Sequence, residues 1–295
     1  MKKLDPVKKM IRASGILDLI PDETYLSLRY RYVFGRWPDL KNPKTFNEKL
    51  NWLKLHDRRP IYMTLVDKIA VKNYVAERIG REYVTPTLGV WSDVDDIDFE
   101  LLPDRFALKT NHGSGDVLLC RNKAVFDFDA ARKSLATIQR RGIFPIGREW
   151  PYKGVPRMIL AEPLLEVQDK DEIEDYKFLF FNGEHRCSFV CSERRSESGL
   201  KVTFFDPKWN RLPFERKYPS SSVDVPRPAE HDKMVELGRK LAKGFPFVRI
   251  DFYDIDGMIR FGEFTLYPGC GFEPFSPARY DRVLGDWLEL PPPIS

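Results

Sequence analysis

Cysteine is scarce. Cys120, Cys187, Cys191 and Cys270 are the only four in 295 residues, too few to staple a chain of this size. Their scarcity fits a reducing, cytoplasmic setting. Cys187 and Cys191 would share a face of a regular strand, but with His185 they supply only three of the four ligands of a structural zinc site. Histidine is equally rare, with four in all, and no Ser/His/Asp triad is readable. No apolar run reaches the roughly 18 residues needed to cross a bilayer. The opening Met1-Lys2-Lys3-Leu4-Asp5-Pro6 leads into no continuous apolar stretch, so no secretory signal is expected. Repeats and low-complexity tracts are absent. What remains is ordinary: 42% hydrophobic and 31% charged residues exclude a disordered or collagen-like chain, and the length suits two lobes.

The net charge is only +4, but it is unevenly placed. Residues 1–60 hold 14 Lys/Arg and 7 Asp/Glu, a net +7, which leaves −3 for the rest. Such a segment suits an acidic polymer, an anionic lipid surface or a nucleic acid, and equally a solvated helical face.

Helical spacing dominates the first 80 residues. Val7, Met10, Ile11 and Leu17 predict one helix, broken by Pro21, and Tyr25, Leu28 and Tyr32 a second. Thr45-Phe46-Asn47-Glu48 reads as a capping box opening a third through Leu50 and Leu53. A fourth begins near Asp67, runs through Val71, Tyr74, Val75 and Ile79, and stops at Gly80. Strands follow from Arg105 to Asn111 and from Val117 to Asn122, then a helix from Phe128 to Arg141 closed by Gly142, and a strand from Met158 to Leu165. Asn182-Gly183 and Asp256-Gly257 each mark a hairpin, joining 176–181 to 185–190 and 247–253 to 259–266. Between them lie a polar stretch from Ser192 to Pro228, with a short strand at 203–206, and a helix from Glu230 to Lys243. The order is helices, a small α+β lobe, then a larger lobe of antiparallel hairpins.

Three segments carry candidate chemistry. In the second hairpin, Arg249 and Asp251 share a strand face, as do Glu263 and Thr265. Carboxylates on adjacent strands suit Mg²⁺, which takes one or two of them together with substrate phosphates. Register sets a condition. A strict two-residue turn at Asp256-Gly257 would place Asp251 opposite Gly262 and send Asp251 and Glu263 to opposite faces. A three-residue connection or a bulge is therefore expected. The second segment, Lys109-Thr110-Asn111-His112-Gly113-Ser114-Gly115, is a strand running into a glycine-bearing loop, able to bring backbone N–H groups and a point charge to phosphates. No helix follows the loop directly, so it is neither a Walker A loop nor a Rossmann turn. The third is Met158 to Leu164, an apolar strand ending at Glu162, followed by Asp175 and Lys177 on one strand face. Read singly, each segment has a plain alternative in a solvated turn or strand end.

Their order is more specific than any one of them. Asp67-Lys68, Lys109 with its loop, Glu162, Asp175, Arg249-x-Asp251 and Glu263-x-Thr265…Pro268-Gly269 together resemble the ATP-grasp superfamily. The nearer resemblance is to the TupA-like (teichuronopeptide-biosynthesis) family of polysaccharide gene clusters. It is carried by Phe46-Asn-Glu-Lys-Leu-Asn-Trp52, Lys109 to Gly115, Asp175-Tyr-Lys-Phe178, Phe205-Asp-Pro-Lys-Trp209 and Phe261 to Gly269. The fold this implies is α+β. Two α+β lobes with antiparallel sheets, 67–165 and 166–295, clasp ATP behind a short helical N-terminal region, 1–66.

The resemblance further implies that Lys68 and Lys109 meet the α- and β-phosphates. Loop residues His112, Gly113, Ser114 and Gly115 fold over them. Glu162 and the backbone beside it, at Leu164, read adenine, and Asp175 binds ribose. Asp251 and Glu263 hold Mg²⁺, with Thr265 where the superfamily usually has Asn, so one or two ions stay open. Arg249 steadies an acyl phosphate, and Lys177 reaches the γ-phosphate or an acceptor carboxylate. The implied reaction joins a carboxylate to an amine at the expense of ATP. The implied substrates are an acidic, uronic acid-containing polysaccharide or precursor and an amino acid or amine. No nucleic acid is expected, and membrane contact would run through the basic N-terminus. The alternatives are a sugar kinase using the same ATP site, a nucleotide-sugar glycosyltransferase using Asp254-Ile-Asp256, and a non-catalytic glycan-binding module.

Overall fold

The structure, a computed structural model, describes residues 19–113, 115, 117–140, 144–167, 173–193, 196 and 199–293. The helix expected through Val7 and Leu17 lies outside the described residues, as do Ser114 and Gly142.

Helix α1 (Asp22–Phe34) carries Asp22 and Glu23 in its first turn and ends at left-handed Gly35, placements that suit the helix dipole and a C-terminal cap. Helix α2 (Phe46–His56) opens on the expected capping box. A six-residue helix not foreseen in the sequence, α3 (Ile61–Val66), precedes α4 (Ala70–Ile79), which stops at Gly80. Helix α2 has little apolar periodicity, yet Asn47, Glu48, Asn51 and Lys54 are all buried. Their polar groups find partners far along the chain. Asn47 Nδ2 donates to Asp281 Oδ1 at 2.9 Å and Asn51 Nδ2 to the Gly271 carbonyl at 2.9 Å. Such bonds remove most of the cost of burying them. Residues 46–66 belong to the expected helical N-terminal region, 1–66. They share one apolar core with the larger sheet: Phe46 meets Phe181 and Phe247 at ring distances of 5.5 and 5.0 Å.

The smaller sheet has strands β1 (Gly89–Trp91), β2 (Phe106–Thr110), β3 (Val117–Cys120) and β4 (Ile159–Pro163) in the order β1-β4-β2-β3, all antiparallel. Helix α5 (Phe128–Gln139) packs on it, and Phe106, Leu108, Leu135 and Ile159 belong to a core separate from the large one. Helix α6 (Phe144–Gly147) follows α5. The larger sheet has strands β5 (Asp175–Phe181), β6 (Glu184–Ser192), β7 (Lys201–Phe205), β9 (Phe247–Ile255) and β10 (Met258–Thr265) in the order β10-β9-β5-β6-β7, again all antiparallel. Short strands β8 (Glu215–Arg216) and β11 (Phe275–Ser276) form a separate ribbon.

The pleat gives the larger sheet two unlike faces. Phe178, Phe180 and Ile250 point one way, under helix α7 (His231–Ala242). Helix and sheet are so close there that a Cβ on Gly238 would lie 2.3 Å from the Phe180 ring. The opposite face is apolar at one end, where Phe181 and Phe247 meet α2, and charged at the other. Helix α8 (Arg279–Trp287) closes the chain against α2, and its approach at Gly285 leaves no room for a side chain.

Candidate active site

The charged end of that face is built by register. Asp256 and Gly257 both have positive φ, 51° and 83°, the two-residue turn whose twist suits a hairpin. From it the pairing runs Ile255–Met258 to Phe252–Phe261, which alone would set Asp251 opposite Gly262. Instead the register shifts between Phe261 and Glu263, and Asp251 faces Glu263. The expected bulge therefore sits at Gly262, where a Cβ would come within 3.1 Å of the Asp251 carbonyl oxygen. Lys177 on β5 faces Asp251 from the other side, so Lys177, Asp251 and Glu263 form one row across three strands, with Arg249 and Thr265 paired in an adjacent row.

Buried opposite charges fill this patch. The Arg249 guanidinium donates to both Asp251 oxygens at 2.7 Å and to Glu263 Oε1 at 2.6 Å. Lys177 Nζ donates to Asp251 Oδ2 at 2.9 Å and also to Asp175. Burial raises the cost of ionising Asp251, but Arg249 and Lys177 outweigh it and hold the carboxyl below the ordinary range. For Asp175 burial is the larger effect and, with the Asp251 charge, pushes it up against the pull of Lys177 and Arg249. Lys177 is desolvated as well, yet Asp251 and Asp175 keep it firmly protonated.

The donor set is the hard-oxygen kind that Mg²⁺ prefers: two carboxylates on adjacent strands, with the Thr265 hydroxyl 3.3 Å from Glu263 Oε1. Glu263 is the accessible member, with 37% of its side chain exposed, against 2% for Asp251. Both Asp251 oxygens are engaged by cations, so Asp251 reaches an ion only by exchanging one of them. The residues fit one ion shared with phosphate oxygens. Among the described residues no cluster of three or more His, Cys, Asp and Glu could hold a metal without such help.

Further cations come from the smaller sheet, with Lys109, and from helix α4 and the residues just before it, with Lys72 and Lys68. Ala107 pairs with Glu162, which places Lys109 diagonally beside it. Glu162 is gripped from two sides, by Lys109 Nζ at 2.5 Å and Lys72 Nζ at 2.6 Å. Burial alone would raise its pKa, but the two lysines hold it lower. Both carboxylate oxygens already accept from a lysine, and Glu162 still lines the cavity in which adenine is expected. Lys72 was missed in the sequence. It lies one helical turn beyond Lys68, the spacing that puts both on one face. Lys68 donates to the Gly113 carbonyl, and burial lowers its pKa. The loop is tied to the start of α4 through Asn111, whose Nδ2 donates to Asp67 Oδ1 at 3.0 Å and to the Pro156 carbonyl at 2.8 Å. Glu162→Gln is expected to weaken ADP binding about tenfold, because Lys109 loses the partner that orients it. Isothermal titration calorimetry checks this. Tighter binding would mean that the carboxylate competes with phosphate for the lysines.

Two cavities open on these groups. The first, about 770 Å³, is lined by Lys68, Lys72, Lys109, Glu162, Leu164 and Asp175, with apolar walls from Val71, Leu119 and Phe261. Its size and mixed lining suit a nucleotide. The second, about 570 Å³, is lined by His112, Gly113, Lys177, Arg249 and Thr265, and also by Glu149, Arg216 and Lys217. Glu263 and Tyr152 line both. Asp251 and Gly115 line neither. The Asp254-x-Asp256 match to a glycosyltransferase metal motif is the hairpin turn itself, for Asp254 Oδ1 accepts from the Gly257 amide at 2.8 Å. All four cysteines are free thiols.

Two antiparallel sheets facing a common cleft lined by lysines and acids accord with an ATP-grasp fold, and the family comparison identifies it as one. More narrowly, this chain belongs to the TupA-like ATP-grasp family, whose sequence model matches residues 48–289. No curated protein matches. Among solved structures it is similar to the D-cycloserine synthetase DcsG, at 14% identity, a TM-score of 0.43 and coverage of 78% of this chain and 72% of that one. A D-alanine–D-alanine ligase from Bacillus anthracis complexed with ATP matches at 15% identity and a TM-score of 0.41, over 69% and 55%. The ATP-grasp ligase PsnB with its minimal precursor, Mg and ADP matches at 12% and 0.41, over 81% and 65%. The chain spans just over half the length of the first structures it matches, 55% and 57%. No helix among the described residues is long and apolar enough to cross a membrane.

Proposed function

We propose that this chain is an ATP-dependent carboxylate–amine ligase acting on an acidic sugar polymer or its precursor. The observation that carries the reading is the seam between the cavities. A nucleotide in the first would direct its γ-phosphate past Glu263 toward a carboxylate in the second, where Arg249 and Lys177 lie. A carboxylate oxygen would attack the γ-phosphorus, ADP would leave, and an acyl phosphate would form. An amine would then attack the acyl carbon and release inorganic phosphate.

In this reading the lobe from 67 to 165 supplies Lys68, Lys109 and the 112–115 loop to the phosphates, and the backbone near Leu164 to adenine. The lobe from 166 to 295 supplies Asp175 to ribose, and Asp251, Glu263 and Thr265 to Mg²⁺. The ion, when bound, would neutralise and orient the phosphate oxygens. Arg249 and Lys177 would stabilise the charge moving between donor and acceptor, which is most of what a protein contributes to phosphoryl transfer. The second cavity brings four cations, Lys177, Arg216, Lys217 and Arg249, against Glu149, Glu263 and Glu273, and adds Tyr152, Tyr218 and Phe189. Excess positive charge beside aromatic rings suits a uronic acid joined to an amino acid or amine, and hence surface-polysaccharide assembly in the cytoplasm. The basic N-terminal segment would suit the same polymer or the inner face of the membrane.

The test is ATP, Mg²⁺ and a glucuronic acid oligosaccharide, with hydroxylamine or a panel of amino acids. ADP, phosphate and a hydroxamate or amide are expected in equal amounts. A stable phosphosugar would favour a kinase, and ATP turnover with neither product would leave only a nucleotide site.

A further inference from the structure

We propose that Glu149 is the general base that takes the proton from the attacking amine in the second cavity. The proposal rests on the ligase reading above and adds a residue with no motif to announce it. An amine reaches the cavity largely as an ammonium ion and cannot attack in that form. The base takes one proton to free the lone pair; then, as the new N–C bond forms, the C–O bond to phosphate breaks and the second N–H proton leaves with the phosphate. Buried carboxylates whose ionisation is pushed toward neutral pH suit that task.

Glu149 is buried and lines the same cavity as Lys177, Arg249 and Glu263. Its neighbours leave it available. Lys54 is the nearest candidate for a structural partner, but its three N–H donors are already taken by Asn51 Oδ1 at 3.0 Å, the Gly147 carbonyl at 2.8 Å and the Cys270 carbonyl at 2.6 Å. Among the described residues no cation lies within 4.0 Å of Glu149. The other acids of the cavity are committed, Glu263 to Arg249 at 2.6 Å and Glu273 to Lys217 at 3.2 Å. His112 lines the cavity too, with Nδ1 3.3 Å from Asn111 Oδ1.

The backbone is shaped around this carboxyl. Arg148, just before it, has φ 53°, and Cys270, which meets it from the other side, has φ 54°, conformations that non-glycine residues hold at a cost. A Cβ on Gly147 would stand 2.8 Å from Glu149 Oε1 and 2.9 Å from Cys270 Sγ, so only glycine leaves the carboxyl in place. Burial lifts its pKa. Lys54 from α2, a hydrogen bond from Cys270 and Arg29 from α1 pull it down, and Glu263 from β10 pushes it up, with the net result above the ordinary range. Tyr152 and Tyr267 stand beside it, and both phenols are pushed up by their own burial and then by Glu149.

Hydroxylamine provides the test, because it is uncharged at neutral pH: its lone pair is free without a base, and its one departing proton leaves with the phosphate. The wild-type protein, given ATP, Mg²⁺ and a glucuronic acid oligosaccharide, should form both hydroxamate and amide. Glu149→Gln should keep hydroxamate formation within about threefold and lose about 100-fold or more of amide formation with the best amino acid of the panel. Its amide rate should also lose the rise with pH that the wild type shows as the carboxyl ionises, and Glu149→Asp should recover part of the rate. If Glu149→Gln made amide at the wild-type rate, or lost hydroxamate and amide equally, the base assignment would be wrong while the ligase reading stood. A wild-type protein forming no hydroxamate would overturn both.

Discussion

Arg249→Met should lower the unfolding free energy by about 3–5 kcal/mol at neutral pH, the usual cost of stripping one partner from a buried ion pair. The guanidinium is almost enclosed and is shared by Asp251 and Glu263. Methionine fills most of the volume but leaves Asp251, Asp175 and Glu263 facing one another, with Lys177 still bonded to Asp251 and Asp175. The pH dependence separates this from a packing defect. In the wild type Asp251 is held below its unfolded pKa, so its contribution is present above the unfolded value and is lost as pH falls through the folded one. In the variant, desolvation and like charges would raise the carboxyls above their unfolded values. The penalty would then be full at neutral pH and relieved on acidification, as the folded state takes up protons. Urea unfolding at pH 7 and pH 4.5 should show the gap between the two proteins closing. A gap of the same size at both would mean that Arg249 acts through packing alone, and would remove the electrostatic account of the patch.

What could be read from the sequence was local and periodic. The capping box at Thr45, both two-residue hairpin turns and the glycine stop at Gly80 involve residues within a few positions of one another, and each is present. The bulge was also legible, because side-chain alternation and turn length together allow Asp251 and Glu263 to share a face only if a residue is inserted. Long-range pairing is what escaped. Helix α2 shows in sequence only Leu50 and Leu53 as apolar positions, and distant partners, among them residues 270–288, bury its polar side as well. Lys72 reads as an exposed helical lysine until Glu162 arrives from a strand ninety residues later. Glu149 follows no motif, since its surroundings come from α1, α2, β10 and the turn at Cys270.

Those distant contacts also divide the labour among the acids. Glu162 and Asp251 are buried and saturated by cations, so they serve first to hold Lys109, Lys72, Arg249 and Lys177 in place. Pre-set cations of this kind can stabilise charge in a transition state without reorganising. Glu263 differs in being partly open and common to both cavities.

Glu263→Gln should therefore reverse the pattern of Arg249→Met, with a small effect on stability and a large one on turnover. Arg249 keeps its two bonds to Asp251 in the variant, so the loss of a half-open ion pair should cost about 1 kcal/mol or less. Turnover should fall about 100- to 1,000-fold, the range seen when one preorganised electrostatic contact is removed from a reacting centre. If Glu263 carries the magnesium, the concentration of Mg²⁺ giving half-maximal ATP turnover should rise as well, because an amide oxygen is a weaker ligand than a carboxylate for a hard cation. Steady-state assays across a Mg²⁺ series, run beside urea unfolding of the same preparation, read both effects together. Near-normal turnover with unchanged Mg²⁺ dependence would take the ion away from the seam. Of the two acids assigned to the ion, Asp251 would then be left, and could hold it only by surrendering Arg249 or Lys177.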